Sequence, residues 1–217
     1  MWTVCSPCCT GCWAEDGTAA VAKRLFDLLA AGLGLLLLAP LLLGLALWIR
    51  LDSPGPVFFR QERVGRHGRL FRIHKFRTMV HGAAGLPLTV GADARITRAG
   101  RWLRARRLDE LPQLIDVLQG TMSLVGPRPE VPRYVALYPP TLKARALAVR
   151  PGITDPASLA HLDEASRLAT AADPEREYVE HILPQKLQAA ADYAEQASLW
   201  TDLKVLLRTL RVLVGRG

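Results

Sequence analysis

Two adjacent acids, Asp109 and Glu110, follow a stretch dense in arginine: Arg95, Arg98, Arg101, Arg104, Arg106 and Arg107. A carboxylate in such a setting has two chemical uses. It can attack phosphorus and form an acyl phosphate, or it can hold a divalent cation against phosphate oxygens. The cations around it neutralise charge during phosphoryl transfer. The plainer reading is structural, with Asp109 capping a helix and Glu110 complementing its dipole. On the acid pair alone both readings stand. Arg128 lies between Pro127 and Pro129 and so has little conformational freedom. Its planar fork suits phosphate oxygens, or a salt bridge to a nearby acid. Lys75 and Arg77 flank Phe76, where they could face a phosphate or end a strand in solvent. The sequence has no glycine-rich phosphate loop and no His cluster with metal spacing.

These side chains need elements to position them. Residues 108–114 read as a helix start, with Asp109 as the N-cap and Pro112 in the first turn. Leu111, Leu114, Ile115 and Leu118 make its apolar face, and Gly120 ends it. Helical patterning begins near Ile96 and breaks before Asp109. Upstream, residues 57–63 and 70–76 are β-rich runs joined by Gly65-Arg66-His67-Gly68, a hairpin. Residues 81–93 read as loop. Downstream, Gly126-Pro127-Arg128-Pro129 and Arg150-Pro151-Gly152-Ile153-Thr154 are rigid turns, and residues 175–213 are helical. The last part, residues 199–213, sets apolar positions on one side and Lys204, Arg208 and Arg211 on another. That suits a helix lying on a membrane surface or an amphipathic core helix. The fold class is α+β and mainly helical.

Residues 25–49 are almost wholly apolar, longer than the roughly 20 residues that cross a bilayer. Lys23 and Arg24 precede the run and Arg50 follows it, so both flanks are basic. Pro40 bends or breaks a helix there. A broken helix that enters and leaves on one face, or a kinked spanning helix, accounts for this pattern. Three segments follow: a Cys-containing tail (residues 1–20), the membrane segment (21–50) and the remainder (51–217). The formal charge of +8 in 217 residues points to an anionic partner. Aromatic residues in the arginine-rich stretch number only Trp102, so nucleic acid is not the expected one. Cys5, Cys8, Cys9 and Cys12 make up all the cysteine. The two pairs abut, whereas zinc sites draw theirs from separated segments. A loose tail is the expectation, and no disulfide framework holds the fold.

The motifs occur in a telling order: Lys23-Arg24-Leu25-Phe26-Asp27, the apolar run, Gly55-Pro56-Val57-Phe58-Phe59-Arg60-Gln61, and Lys75-Phe76-Arg77-Thr78-Met79. Then come Leu108-Asp109-Glu110-Leu111-Pro112-Gln113, Met122-Ser123-Leu124-Val125-Gly126-Pro127-Arg128-Pro129 and Pro151-Gly152-Ile153-Thr154. From Lys23 to Leu213 the chain resembles the bacterial sugar transferases known as monotopic phosphoglycosyl transferases, in their small form. The resemblance implies a re-entrant membrane helix broken at Pro40, with both ends cytoplasmic at the bacterial inner membrane. It implies a small β-hairpin and amphipathic surface helices as well. The implied reaction moves a sugar 1-phosphate from a UDP-sugar to undecaprenyl phosphate, as the first membrane step of polysaccharide or glycoconjugate synthesis. Asp109 would attack the phosphate bearing the sugar and release UMP. Glu110 would hold Mg2+, with Lys75, Arg104 and Arg128 around the phosphates. The family's break is commonly Ser-Pro, and here it is Ala39-Pro40. Many members continue Gly-Leu-Trp-Gln after the Pro-Gly-Ile-Thr motif, where this chain has Asp155-Pro156-Ala157-Ser158-Leu159. The competing reading is a non-catalytic basic adaptor at a membrane surface.

Overall fold

A computed structural model of the protein describes residues 17–83, 93–155 and 164–214. The cysteine tail, most of the loop at 81–93 and the segment after Asp155 therefore lie outside the described residues. The described residues open with α1 (Gly17–Asp52), rich in leucine and alanine, both strong helix formers. The sequence leads one to expect a bend or a break at Pro40. α1 is one helical element with Pro40 in its interior. Leu38 and Leu42, on either side of the proline, both pack on the body of the protein, which carries the helix past the lost hydrogen bond.

One stripe of α1 is packed and the opposite stripe is bare. Asp27, Ala31, Leu45 and Ile49 are buried. Leu29, Leu36 and Leu43 recur at helical spacing and are 73%, 73% and 72% exposed. Polar groups fasten the first half of the helix. The Asp27 carboxylate accepts from Ser123 Oγ at 2.8 Å and from the Leu124 N–H at 3.2 Å. Lys23 pairs with Asp202, which also accepts from the Tyr193 hydroxyl at 2.5 Å.

The C-terminal end of α1 is fastened by Arg77. Its guanidinium donates to the carbonyls of Ile49 (3.1 Å), Ser53 (2.6 Å) and Pro54 (2.9 Å), and to Ser53 Oγ (3.0 Å). This is neither of the sequence expectations for Arg77. It is a buried cation capping a helix terminus, where the unpaired carbonyls and the dipole favour positive charge. Arg77→Met should therefore cost about 3 kcal/mol, since it strands several buried acceptors. Thermal unfolding in neutral detergent would read this; an unchanged midpoint would reject the capping role.

Strands β1 (Phe58–Val64) and β2 (Leu70–Phe76) form the expected antiparallel hairpin, with Phe59 opposite Lys75 and Arg60 opposite His74. Helix α2 (Arg98–Ala105) follows, capped by Thr97 Oγ1 and by Asp52 Oδ2, which accepts from the Ala99 N–H at 3.0 Å. A short 3-10 turn (Leu108–Glu110) leads to α3 (Gln113–Gln119). Here the expected capping is corrected: Pro112, not Asp109, is the N-cap of α3. Arg107 enters the 3-10 turn in the left-handed conformation (φ 57°), and this re-aims the two acids inward. Gly120 ends α3 as expected, with φ 86°.

Strand β3 (Ser123–Val125) pairs in parallel with β4 (Gly152–Thr154), and β4 lies in a segment the sequence presents as a turn. Between them lie α4 (Pro132–Val135) and α5 (Pro140–Ala146). Gly126 and Gly152 cross where a Cβ on Gly152 would sit 2.0 Å from the Gly126 nitrogen. Only glycine allows that approach. The remaining helices are α6 (Glu164–Thr170), α7 (Pro174–Glu177), a π turn (Tyr178–Ile182), α8 (Leu183–Gln196) and α9 (Leu199–Val214). Helix α9 packs through Asp202 and Val205 and leaves Trp200, Leu203, Leu207 and Leu210 exposed. Its exposed surface thus carries apolar residues together with Lys204, Arg208 and Arg211.

Candidate active site

Five residues from four separated places in the chain meet at the 3-10 turn. Asp109 and Glu110 are both buried within it. Lys75, near the end of β2, places its ammonium 2.9 Å from Asp109 Oδ2 and 3.2 Å from Glu110 Oε1. Arg128 closes on Glu110 from the Pro-rich loop, with Nη2 on Oε1 and Nη1 on Oε2 at 3.2 Å. That is the bidentate fork a guanidinium makes with a carboxylate. Arg104, in the last turn of α2, donates from Nε to Thr78 Oγ1 at 2.8 Å. Its charge is felt by both Asp109 and Glu110. All five residues singled out in the sequence therefore share one site, and Arg128 makes the salt bridge to a nearby acid that is one of its two readings from the sequence.

Each side chain has a local reason for its place. The hairpin register brings Lys75 to the edge that meets the 3-10 turn. Arg128 is held by the glycine crossing behind it and by Arg63, which donates to the Pro129 carbonyl at 3.1 Å. Arg63 also pairs with Glu130 at 3.3 Å, and Glu130 accepts from the Tyr178 hydroxyl at 2.5 Å.

The electrostatics set protonation. Burial pushes the Glu110 carboxyl up, but the charges of Arg128 and Lys75 outweigh it and hold the group well below the usual carboxylate range. Glu110 in turn raises Arg128. Nearby, Asp93 is lowered to about 2, chiefly by its hydrogen bonds from Arg95.

Further residues act on the site beyond the five singled out. Arg107 adds positive charge near Glu110, and Asp155 adds negative charge near Arg128. Beneath the site, Asp116 of α3 accepts from the His74 backbone N–H at 2.8 Å and from His74 Nδ1 at 2.7 Å. Arg60 Nη1 lies 2.6 Å from His74 Nε2, so that nitrogen accepts and Nδ1 carries the proton. The only signal for this strut is an acid inside an apolar helix pattern, which is too common to single out. Among the described residues no three His, Cys, Asp or Glu side chains converge as a metal-holding group. A cation that takes one or two protein carboxylates and completes its shell with phosphate and water, as Mg2+ does, still fits the acid pair.

The chain matches the family described as bacterial sugar transferase over residues 18–216. It belongs to that family. A relative of this bacterial sugar transferase is a UDP-glucose:undecaprenyl-phosphate glucose-1-phosphate transferase of Caulobacter vibrioides. It is 45% identical over 87% of this chain and 68% of the relative. An Aeromonas hydrophila UDP-N-acetylgalactosamine-undecaprenyl-phosphate N-acetylgalactosaminephosphotransferase is 40% identical over 91% of this chain and 45% of its own length. An uncharacterized sugar transferase, EpsL, of Bacillus subtilis is 37% identical over 91% and 90% respectively. The chain thus spans about half the length of some curated relatives and nearly all of another.

Proposed function

We infer that this sugar transferase moves a sugar 1-phosphate from a UDP-sugar to undecaprenyl phosphate, at the cytoplasmic face of a bacterial inner membrane. The observation that carries the reading is the carboxylate pair under three cations, in a turn whose Leu108 packs in one cluster with Leu45 and Ile49 of a long apolar helix. Asp109, touched by Lys75 on one oxygen, would attack the sugar-bearing phosphorus, and UMP would leave with the electron pair of the broken P–O bond. Undecaprenyl phosphate would then take the phosphosugar from Asp109 and restore the carboxylate. Lys75, Arg104 and Arg128 would hold phosphate oxygens in place and offset their charge. Mg2+, held by Glu110, would supply further charge neutralisation.

The packing of α1 supports a membrane-bound arrangement. Its apolar window is 11% buried, too little for the core helix of a soluble protein. The same body touches it at Asp27 and Ala31 near one end and at Leu45 and Ile49 near the other. A helix crossing a bilayer upright would drag that polar body into the lipid. A helix immersed along its bare stripe, with both ends on one side, would not. The exposed apolar residues of α9, which Lys23 ties to α1, would join the same surface.

The test is purified protein with Mg2+, a UDP-sugar and undecaprenyl phosphate. UMP should appear only when all are present over repeated turnovers. No UMP from any UDP-sugar would sink the reading. Salt-sensitive lipid binding without turnover would favour the basic adaptor instead.

A further inference from the structure

The surface cations divide into two populations. On α5, α6 and α7 arginines are matched by acids: Arg145 with Glu195 at 2.7 Å, Arg167 with Glu177 at 2.6 Å and Arg176 with Glu180 at 2.9 Å. On α2 they are not. Arg98, Arg101 and Arg106 are exposed, and none has a salt-bridge partner among the described residues.

Their position is fixed relative to α1. Asp52, the last residue of α1, caps the start of α2, so the exposed face of α2 begins where the apolar stripe ends. Arg98, Arg101 and Trp102 share that face by helical periodicity, while Ala99, Gly100 and Leu103 are buried behind it. Trp102 meets Trp48 of α1 edge-on, with ring centroids 5.3 Å apart, and Arg106 lies over the Trp102 ring at 4.4 Å. Indole rings favour the boundary between acyl chains and headgroups. A tryptophan pair at that boundary with unmatched guanidinium groups beside it is complementary to anionic phosphate esters.

We propose that Arg98, Arg101 and Arg106 form a binding face for the headgroups of acidic phospholipids, at the corner between α1 and α2. This rests on the reading that the bare stripe of α1 lies in lipid. The face would set the tilt and depth of the corner and keep the nearby 3-10 turn at headgroup level. Uncompensated charge on α2 costs little in the folded protein if lipid phosphates supply the counter-charge.

The test offers the full chain, in neutral detergent, to two vesicle populations of different density as the detergent is removed. One population is phosphatidylcholine alone and the other also contains phosphatidylglycerol. The wild type should favour the anionic vesicles, and the preference should shrink in high salt. At roughly fivefold per arginine, Arg98→Gln/Arg101→Gln/Arg106→Gln should lower the preference by about a hundredfold. Lysine at the same three positions should keep most of it, and Arg145→Gln/Arg167→Gln/Arg176→Gln should keep all of it. An even distribution of the wild type overturns the proposal, as does a glutamine variant with undiminished preference. Should that variant fail to fold, a wild-type preference that persists in high salt overturns it alone. Wild type that enters neither population would overturn the lipid reading of α1 itself, and this face with it.

Discussion

Asp109→Asn is expected to lower the rate of UMP release by at least about 10³-fold, because an amide has no anionic oxygen to attack phosphorus. The substitution is nearly isosteric, and Glu110 remains to pair with Lys75. The folded state should therefore survive, which thermal unfolding would check. The sharper measurement omits the acceptor. Wild type given donor alone should gain the mass of a phosphosugar and release UMP once per site, and Asp109→Asn should do neither. A variant that still turns over would mean that water or the acceptor attacks directly. A variant that binds donor with unchanged affinity but makes no adduct would separate chemistry from binding. That outcome is the one expected, since Lys75, Arg104 and Arg128 all remain.

Legibility in the sequence followed the range of the interaction. The hairpin of β1 and β2 is a local structure, and its alternation and turn residues mark it plainly. Lys75, Arg104, the acids and Arg128 stand out because charge that dense needs a partner. The parallel pairing of β3 with β4 does not stand out: three residues on each side are too few for a period, and only their glycines cross. Asp109 looks like a helix cap because it precedes a proline and an apolar face. Only the left-handed turn at Arg107 shows that it faces inward. Arg77 looks like a second phosphate ligand beside Lys75, yet its acceptors are carbonyls at the end of α1, brought close by the tertiary fold. Asp116 and His74 are 42 residues apart, and neither residue type alone announces burial. Pro40 reads as a bend or a break because local rules count its missing hydrogen bond. The packing of Leu38 and Leu42 on the body is not local.

Arg128→Met is expected to destabilise the protein at neutral pH and much less under acid conditions. In the wild type the Arg128 and Lys75 charges overcome burial and hold the folded-state carboxyl of Glu110 below its unfolded value, ~4.3. A depressed carboxylate contributes stability that is complete above the unfolded value and is lost as pH falls toward the folded one. Without Arg128, burial pushes the folded carboxyl back up and that contribution shrinks. The gap between variant and wild type should therefore be widest above pH ~5 and should narrow below ~4. Its size at neutral pH should be about 2 kcal/mol, below the 3–5 kcal/mol typical of a fully buried pair. Two features reduce it: the Arg128 side chain is 37% exposed, and Lys75 still faces Glu110. Unfolding midpoints across pH would measure it, and a gap that does not change with pH would show that Arg128 acts through packing alone. Arg128→Lys separates the roles of this residue. An ammonium restores charge beside Glu110 but not the two-pronged contact, so stability should recover more than UMP release. Recovery of both would mean that the site uses Arg128 only as a point charge.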